Sequence, residues 1–493
     1  MSMQMNSCRL YSAEQVRQHE PSAAQAAGVS MFTLMQRAGQ STFTYLRKRW
    51  PKARRIIVAV GVGNNGGDGF IVAALALQAG LDVALCVVQP ERAFAGDAKR
   101  AAEQWLELGG QCLAADDVDF DAADVIVDAL LGTGLSGEVR APFVDIIARI
   151  NASSTPVLSI DIPSGTHADT GAPVGISVQA NATITFVGVK LGLVTGLGRQ
   201  LCGELVFNDL GIRETFRPLA SSSARLLYFS DAPTLPPRLN NAHKGANGRV
   251  LCIGGGEGMP GAIRLTAEAA LRSGAGLVKV YCHPHSQPSV AAGRPEVMVS
   301  ADDLMQMIAW ASCIIIGPGL GRSEWSERVV RETIDALKLA DKPTLVDADG
   351  LNLLVKMKLS VPSSRLIVTP HPGEAARMLD CDISSVEQDR FRAVKDIADN
   401  FNATTVLKGA GSLISDGKDC WVCAEGNPGM ATAGMGDVLS GVLGALIAQG
   451  MSLTDAALRG VCMHAAAGDL AAQQGQRGMI ASDLFPYLRQ LNN

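Results

Sequence analysis

Aromatic residues make up only 5% of the 493 positions, and no apolar run is long enough to span a bilayer. The first shortage argues against the stacking platforms of nucleic-acid binders, and the second against a transmembrane helix. A basic excess is missing too: 43 Lys and Arg face 48 Asp and Glu, a net charge of −5, so nucleic acid is not expected as the main partner. The opening MSMQMNSCRLYSAEQ holds no signal-peptide apolar core. The 11 cysteines are scattered apart from Cys420 and Cys423, which predicts reduced, buried thiols in a cytosolic protein. That CxxC has no second pair and lies in an alternating, strand-like stretch, so neither zinc nor redox chemistry is expected of it.

What the chain has in quantity is apolar residue (47%) and glycine (52 residues), the glycines gathered in loops that follow apolar runs. This composition predicts a well-buried globular protein too long for one core. Periodicity fails between residues 207 and 231, where Pro218, Ser221, Ser222 and Ser223 precede a proline-rich APTLPP segment. The boundary is placed near residue 225, giving domains over 1–225 and 226–493.

In the first domain, residues 9–50 read as helical and residues 55–60 as a strand. The strand runs into the glycine-rich loop 61–69, followed by a helix over 70–80 and a strand over 82–88: a βαβ unit. The loop has GxGxxG spacing, a weak dinucleotide signal by itself. Asn64, Asn65 and Asp68 instead put oxygen donors there, which suit a cation or a polar ligand edge. Asp128 and Asp161 close apolar, parallel-type strands at 124–128 and 156–161, so both should reach the sheet's carboxyl edge. Lys190, after a strand over 182–189, is a candidate partner for them.

Residues 61–69 with Asp128, the GTGLSG loop at 132–137 and Asp161-Ile162-Pro163-Ser164-Gly165 resemble the YjeF N-terminal family, the NAD(P)H-hydrate epimerases, over about residues 10–220. The resemblance implies a Rossmann-like three-layer sandwich. Its ligand would be a nicotinamide cofactor with water added across the C5–C6 double bond. By resemblance, Asn65, Asp128 and Ser164 supply oxygens to K+. Asn64, Asn65, Gly66, Gly67 and Asp68 contact the hydrate, together with Gly132, Thr133, Gly134, Leu135, Ser136, Gly137, Glu138 and Asp161. Asp161 is then the acid/base that interconverts the R and S forms at C6.

The second half turns on residues 408–441, whose end reads Gly434-Met435-Gly436-Asp437 before an apolar helix. A helix starting straight after glycines presents free N–H groups and its positive dipole end, a setting for phosphate. An aspartate there would repel phosphate and fits better as a base or metal contact; the plain alternative is a helix N-cap. Strand-like runs at 249–253, 276–281, 313–316, 344–346, 366–368 and 405–407 each end in a loop, predicting a second α/β sheet with its ligand rim on one edge. His371, held between prolines beside Glu374, is a candidate ligand contact. His283 and His285 lack a third ligand nearby and read as surface or structural residues.

These stretches resemble the ADP/ATP-dependent NAD(P)H-hydrate dehydratases, a ribokinase-like family, over about residues 230–490. The resemblance implies a ribokinase-like three-layer sandwich. Lys408, Gly409, Ala410, Gly411, Ser412 and Gly436 would bind ADP or ATP, and Ala262, Gly319, His371 and Asp437 the hydrate. Asp437 would be the base for phosphorylating the C6 hydroxyl, with Mg2+ holding charge. Where the family usually has Thr, this chain has Met435, which removes a hydroxyl and leaves the backbone donors. The domain order is that of the bifunctional repair enzymes, and because the family's sheets tend to assemble, the resemblance implies a homo-oligomer; charge and apolar pattern predict no nucleic-acid or membrane partner. The alternative is a ribokinase-like kinase of a small vitamin-type alcohol fused to a cation-binding α/β domain.

Overall fold

The computed structural model describes residues 8–90, 92–135, 137–362 and 364–492. The chain divides into two compact units between Arg225 and Leu226.

The first unit is built on a parallel sheet. Its strands are β1 (Cys8–Tyr11), β2 (Arg55–Val60), β3 (Asp82–Val87), β4 (Cys112–Ala114), β5 (Val125–Ala129), β6 (Val157–Ile160), β7 (Ala182–Phe186), β8 (Val189–Lys190) and β9 (Glu204–Asn208). The main sheet has seven strands in the order β4-β3-β2-β5-β6-β7-β9, every neighbouring pair parallel. Its order reverses direction between β2 and β5, the kind of switch point where open α/β sheets take ligands beyond their carboxyl ends. Side chains alternate across β2. Ile56, Val58 and Val60 pack into one apolar cluster with Phe70 and Leu46, while Ile57 and Ala59 join a second with Ile146 and Ile147. Two cores on opposite faces of one sheet make a three-layer sandwich.

Three readings of this half need correction. Residues 8–11 form β1, not helix; β1 lies parallel to β8 and sets Tyr11 beside Lys190. The predicted single strand over 182–189 breaks into β7 and β8, with Val187 at φ 63 between them. The helix expected from residue 70 begins at Asn64, so residues 64–69 are its first turns and not loop. Glycine makes this entry feasible. A Cβ on Gly66 would sit 1.9 Å from the Gly61 carbonyl oxygen, and one on Gly61 would sit 2.1 Å from that of Leu130. Glycine has low helix propensity, and here close backbone packing outweighs it.

After β10 (Ala224–Leu227), the second unit contains β11 (Arg249–Ile253), β12 (Leu277–Tyr281), β13 (Met298–Ser300), β14 (Cys313–Ile316), β15 (Thr344–Val346), β16 (Leu366–Val368), β17 (Thr404–Leu407), β18 (Leu413–Ser415) and β19 (Cys420–Cys423). They run β13-β12-β11-β14-β15-β16-β17-β18-β19, parallel as far as β17 and antiparallel beyond. Val250 and Cys252 share one core with Ala267 and Val442 of the helices Pro260–Arg272 and Met435–Ala448, which pack on β11. Val461 of Leu453–Ala472, packed on β17 to β19, belongs to the same core. Gly441 lets two of these helices touch, since a Cβ there would meet the Thr266 carbonyl at 2.2 Å. Among the described residues, no helix is long and apolar enough to cross a membrane.

Candidate active sites

In the first unit the loops after β2, β5 and β6 open onto a cavity of about 620 Å3, lined among others by Asn64, Asn65, Asp68 and Asp161. Gly132, Thr133, Gly134 and Leu135 form another wall. Gly66 and Gly67 are buried in the helix beneath it, while Gly137 and Glu138 are exposed and do not line it. Ser136 lies outside the described residues.

Asp161 follows β6 in a left-handed conformation, φ 64, which aspartate tolerates better than most residues. Lys190, only 1% exposed, donates a short charge-assisted bond to Asp161 Oδ1. The same oxygen accepts from Thr185 Oγ1 at 3.0 Å and from the Phe186 N–H at 3.3 Å. Lys190 is itself held by Thr185 Oγ1 at 3.2 Å and the Phe186 carbonyl at 3.0 Å. The expected pair therefore forms, with its lysine buried. Burial, and then the charges of Asp161 and Glu20, push the Asp68 carboxyl well above its ordinary range, while Lys190 pulls the other way. Burial raises Glu20 as well. Glu20 went unnoticed in the sequence because it sits in a polar helix, Ala13–Ala26, far upstream.

Asp128 lies fully buried under this floor. It accepts from Ser159 Oγ (2.8 Å), Ser164 N (2.9 Å), Ser164 Oγ (2.5 Å) and Leu130 N (3.3 Å). Burial raises its pKa against those bonds. Both polar atoms of the Asn65 side chain are buried without a hydrogen-bond partner. An orphaned buried amide is costly and points to a ligand.

In the second unit the carboxyl ends of β11, β14, β15, β16 and β17 stand side by side. Gly319, at φ 57, touches Ala262: a Cβ there would be 2.9 Å from the alanine methyl. Gly317 lies against the Asp347 carbonyl, where a Cβ would come within 1.8 Å. Asp347 is 1% exposed, and its oxygens take Lys408 Nζ and Ser440 Oγ, each at 2.7 Å. Ala348, at φ 49 and ψ −123, turns the chain between Asp347 and Asp349 in a conformation alanine rarely adopts.

His371 caps the helix Pro372–Leu379: its Nδ1 accepts from the Gly373 N–H at 3.0 Å, and Glu374 Oε2 accepts from the His371 N–H at 2.8 Å. Burial, then Lys408 and Arg377, lower the His371 pKa, so the ring is neutral near pH 7. Glu374 also approaches Lys408, at 3.8 Å. Burial opposes the lysine's charge, but Asp347, Glu374 and Asp437 together hold it above the ordinary lysine value.

Lys408 opens the loop to Ser412, where Gly409 (φ 141) and Gly411 (φ 66) turn the backbone and Ser412 Oγ donates to the Gly409 carbonyl at 3.1 Å. Arg390, 1% exposed, supports it from below by donating to the Lys408 carbonyl at 3.0 Å. The helix Met435–Ala448 enters beside it with Gly434, φ 89, as its cap. Asp437 is therefore in the first turn and is not the N-cap. A Cβ on Gly436 would sit 3.3 Å from Lys408 Nζ, which places this turn directly over the lysine. Burial, and then Asp347, push the Asp437 carboxyl up to about 7 against the pull of Lys408. Met435 is buried in the core. Asp347 and Ser440 were missed as site residues; an acid ending an apolar strand, the signal used for Asp128 and Asp161, would have found the first.

Two α/β units, each with acids and glycines gathered on its carboxyl rim, describe an enzyme that handles nucleotides at two separate sites. The YjeF-related N-terminal family matches residues 32–192, and the family described as NAD(P)H-hydrate dehydratase matches residues 250–490. The bifunctional NAD(P)H-hydrate repair enzyme Nnr of Coxiella burnetii is 44% identical, covering 98% of this chain and 99% of its own length. Its counterpart in Escherichia coli K12 is 42% identical over 98% of this chain and 93% of its own. A crystal structure of ADP/ATP-dependent NAD(P)H-hydrate dehydratase from Bacillus subtilis, co-crystallized with ATP/Mg2+, is 29% identical, covers 52% of this chain and 93% of its own, and has a TM-score of 0.47. The chain belongs to the family of bifunctional NAD(P)H-hydrate repair enzymes.

Proposed function

We propose that the first unit epimerises hydrated NADH and NADPH, and that the second dehydrates the S form with consumption of ADP or ATP. The observation that carries the second half is Asp437: a carboxyl pushed up to about 7, in the glycine-capped turn over Lys408. A base of that pKa is half-ionised at neutral pH and can take up a proton and release it again.

Hydroxide leaves C6 poorly. Asp437 takes the proton of the C6 hydroxyl as the hydroxyl oxygen attacks the terminal phosphoryl group, whose bond to the bridging oxygen breaks to release AMP from ADP or ADP from ATP, leaving a phosphate ester at C6. The N–H groups of the Gly434–Gly436 turn and the loop over Lys408, Gly409, Ala410, Gly411 and Ser412 receive nucleotide phosphate. Ala262, Gly319 and neutral His371 hold the hydrate. Electron push from the ring nitrogen then expels phosphate from C6, and loss of the C5 proton restores the double bond. Mg2+, when bound, would neutralise charge on the transferring phosphate. Asp347, Asp349 and Glu374, the carboxylates that help raise Asp437, are the hard oxygen donors available to it.

In the first unit Asp161 is the acid/base at C6, held in place by the Lys190 ammonium. Asn64, Asp68 and the wall of Gly132, Thr133, Gly134 and Leu135 contact the hydrate. The unpartnered Asn65 amide, with Ser164 and the charge of Asp128, fits K+. Asp128 already accepts four protein hydrogen bonds, so its share is mainly electrostatic.

The test is to supply the hydrates of NADH and NADPH with ADP or ATP and follow recovery of reduced-cofactor absorbance. A stable phosphorylated product without that recovery would instead mean a kinase.

A further inference from the structure

Two loops at the carboxyl edge of the second unit, after β11 and after β12, are tied together outside the residues assigned above. The His283 N–H donates to the Gly255 carbonyl at 3.2 Å, and Ser286 Oγ to that of Gly256 at 2.8 Å. This brings Glu257 against the two histidines: Glu257 Oε1 is 2.7 Å from His285 Nδ1, and the two imidazole centroids are 5.0 Å apart. One ligand atom from each of the three residues lies within 4.8 Å of the others. The His283 ring is braced edge-on by Trp325, with centroids 5.2 Å apart. In sequence the histidines lacked a third ligand; folding delivers it from a loop 26 residues upstream of His283 (283 − 257).

We propose that Glu257, His283 and His285 form a binding site for a divalent transition-metal ion of the Zn2+, Co2+ or Ni2+ type. Two imidazole nitrogens and one carboxylate oxygen make a donor set that these borderline ions favour and that Mg2+, which prefers oxygen alone, does not. Three protein ligands leave positions for water, and the open face of the cluster gives the ion a way in. Binding displaces the Glu257–His285 hydrogen bond, so the site fills as that contact opens. A surface ion pair would use only two of the three groups. The ion also clamps the glycine-rich loop 254–258 to the segment after β12.

The test is a Co2+ titration of the full chain under reducing conditions with excess Mg2+, read by visible absorption and tryptophan fluorescence. One equivalent should bind, giving ligand-field bands with no thiolate charge-transfer band, and should quench fluorescence. His283→Ala and His285→Ala should each weaken binding by at least about tenfold. Trp325→Phe should bind normally and lose most of the quenching. The proposal fails if nothing binds, or if both histidine variants bind as the parent does. It fails equally if a thiolate band appears, which would assign the metal to the buried Cys423, Glu425 and Cys462 cluster.

Discussion

Lys408 Nζ lies 2.7 Å from Asp347 Oδ1, and the Gly436 backbone passes directly over that pair. One buried ion pair thus joins the strand end that carries Asp347, the nucleotide loop, and the helix turn that carries Asp437. Breaking such a pair leaves a buried charge uncompensated, so its members tolerate substitution poorly. Asp437 is bound to neither partner but feels both charges, which is what sets its chemistry.

Replacing Asp437 by Asn keeps the turn and removes the base. Dehydration should fall by about a thousandfold while nucleotide affinity stays within a few-fold. In the parent, turnover should rise with pH through about 7, as Asp437 loses its proton, and then level off. Steady-state rates from pH 5 to 9 (about that range) check both. A variant with parental turnover would remove Asp437 from the mechanism.

The same carboxyl should show in stability. Its pKa in the folded chain is raised from 3.8 to about 7, so its contribution is fully present below about pH 4 and is lost as pH climbs through about 7. Asp437→Asn is therefore expected to have the higher Tm above pH 7 and no advantage at pH 4, without nucleotide. Melting curves at the two pH values decide it.

Asp161→Ala should leave the S hydrate repaired and the R hydrate stranded, because only the first unit loses its acid/base. Lys190→Met should cut epimerisation comparably, since it leaves the Asp161 carboxylate without its charged donor. Chromatographic separation of the two epimers over time distinguishes these losses from a loss of dehydration.

If the orphaned Asn65 amide serves K+, exchanging K+ for a bulky organic cation should slow epimerisation in the parent. Asn65→Ala should already be slow and should no longer respond to the exchange. An unaltered cation response in Asn65→Ala would contradict the assignment.

Gly66→Ala tests the helix entry. Its new Cβ would fall 1.9 Å from the Gly61 carbonyl, so backbone must shift, at a cost of about 2–4 kcal/mol. Denaturant unfolding of the variant measures it.

Local pattern was enough for much of this. The alternation of strand and glycine-rich loop, the acids ending apolar strands, and Gly434-Met435-Gly436-Asp437 ahead of a helix all follow from short-range stereochemistry and can be read along the chain. Both rims and most of their acids were visible that way. The start of the helix at Asn64 was not, because it depends on how closely Gly61 and Gly66 pack against neighbouring backbone. Nor was the fate of the CxxC: Cys420 and Cys423 differ in burial on β19, and Cys423 meets Cys462 from a distant helix.

Residue type and spacing determined which groups could do chemistry. Tertiary structure alone decided their charge states and their partners: the burial of Lys190 beside Asp161, the ionisation of Asp437 near neutrality, the empty-handed amide of Asn65, and the meeting of Glu257 with two histidines. Those properties depend on distances and dielectric between residues remote in the chain, which no local pattern encodes.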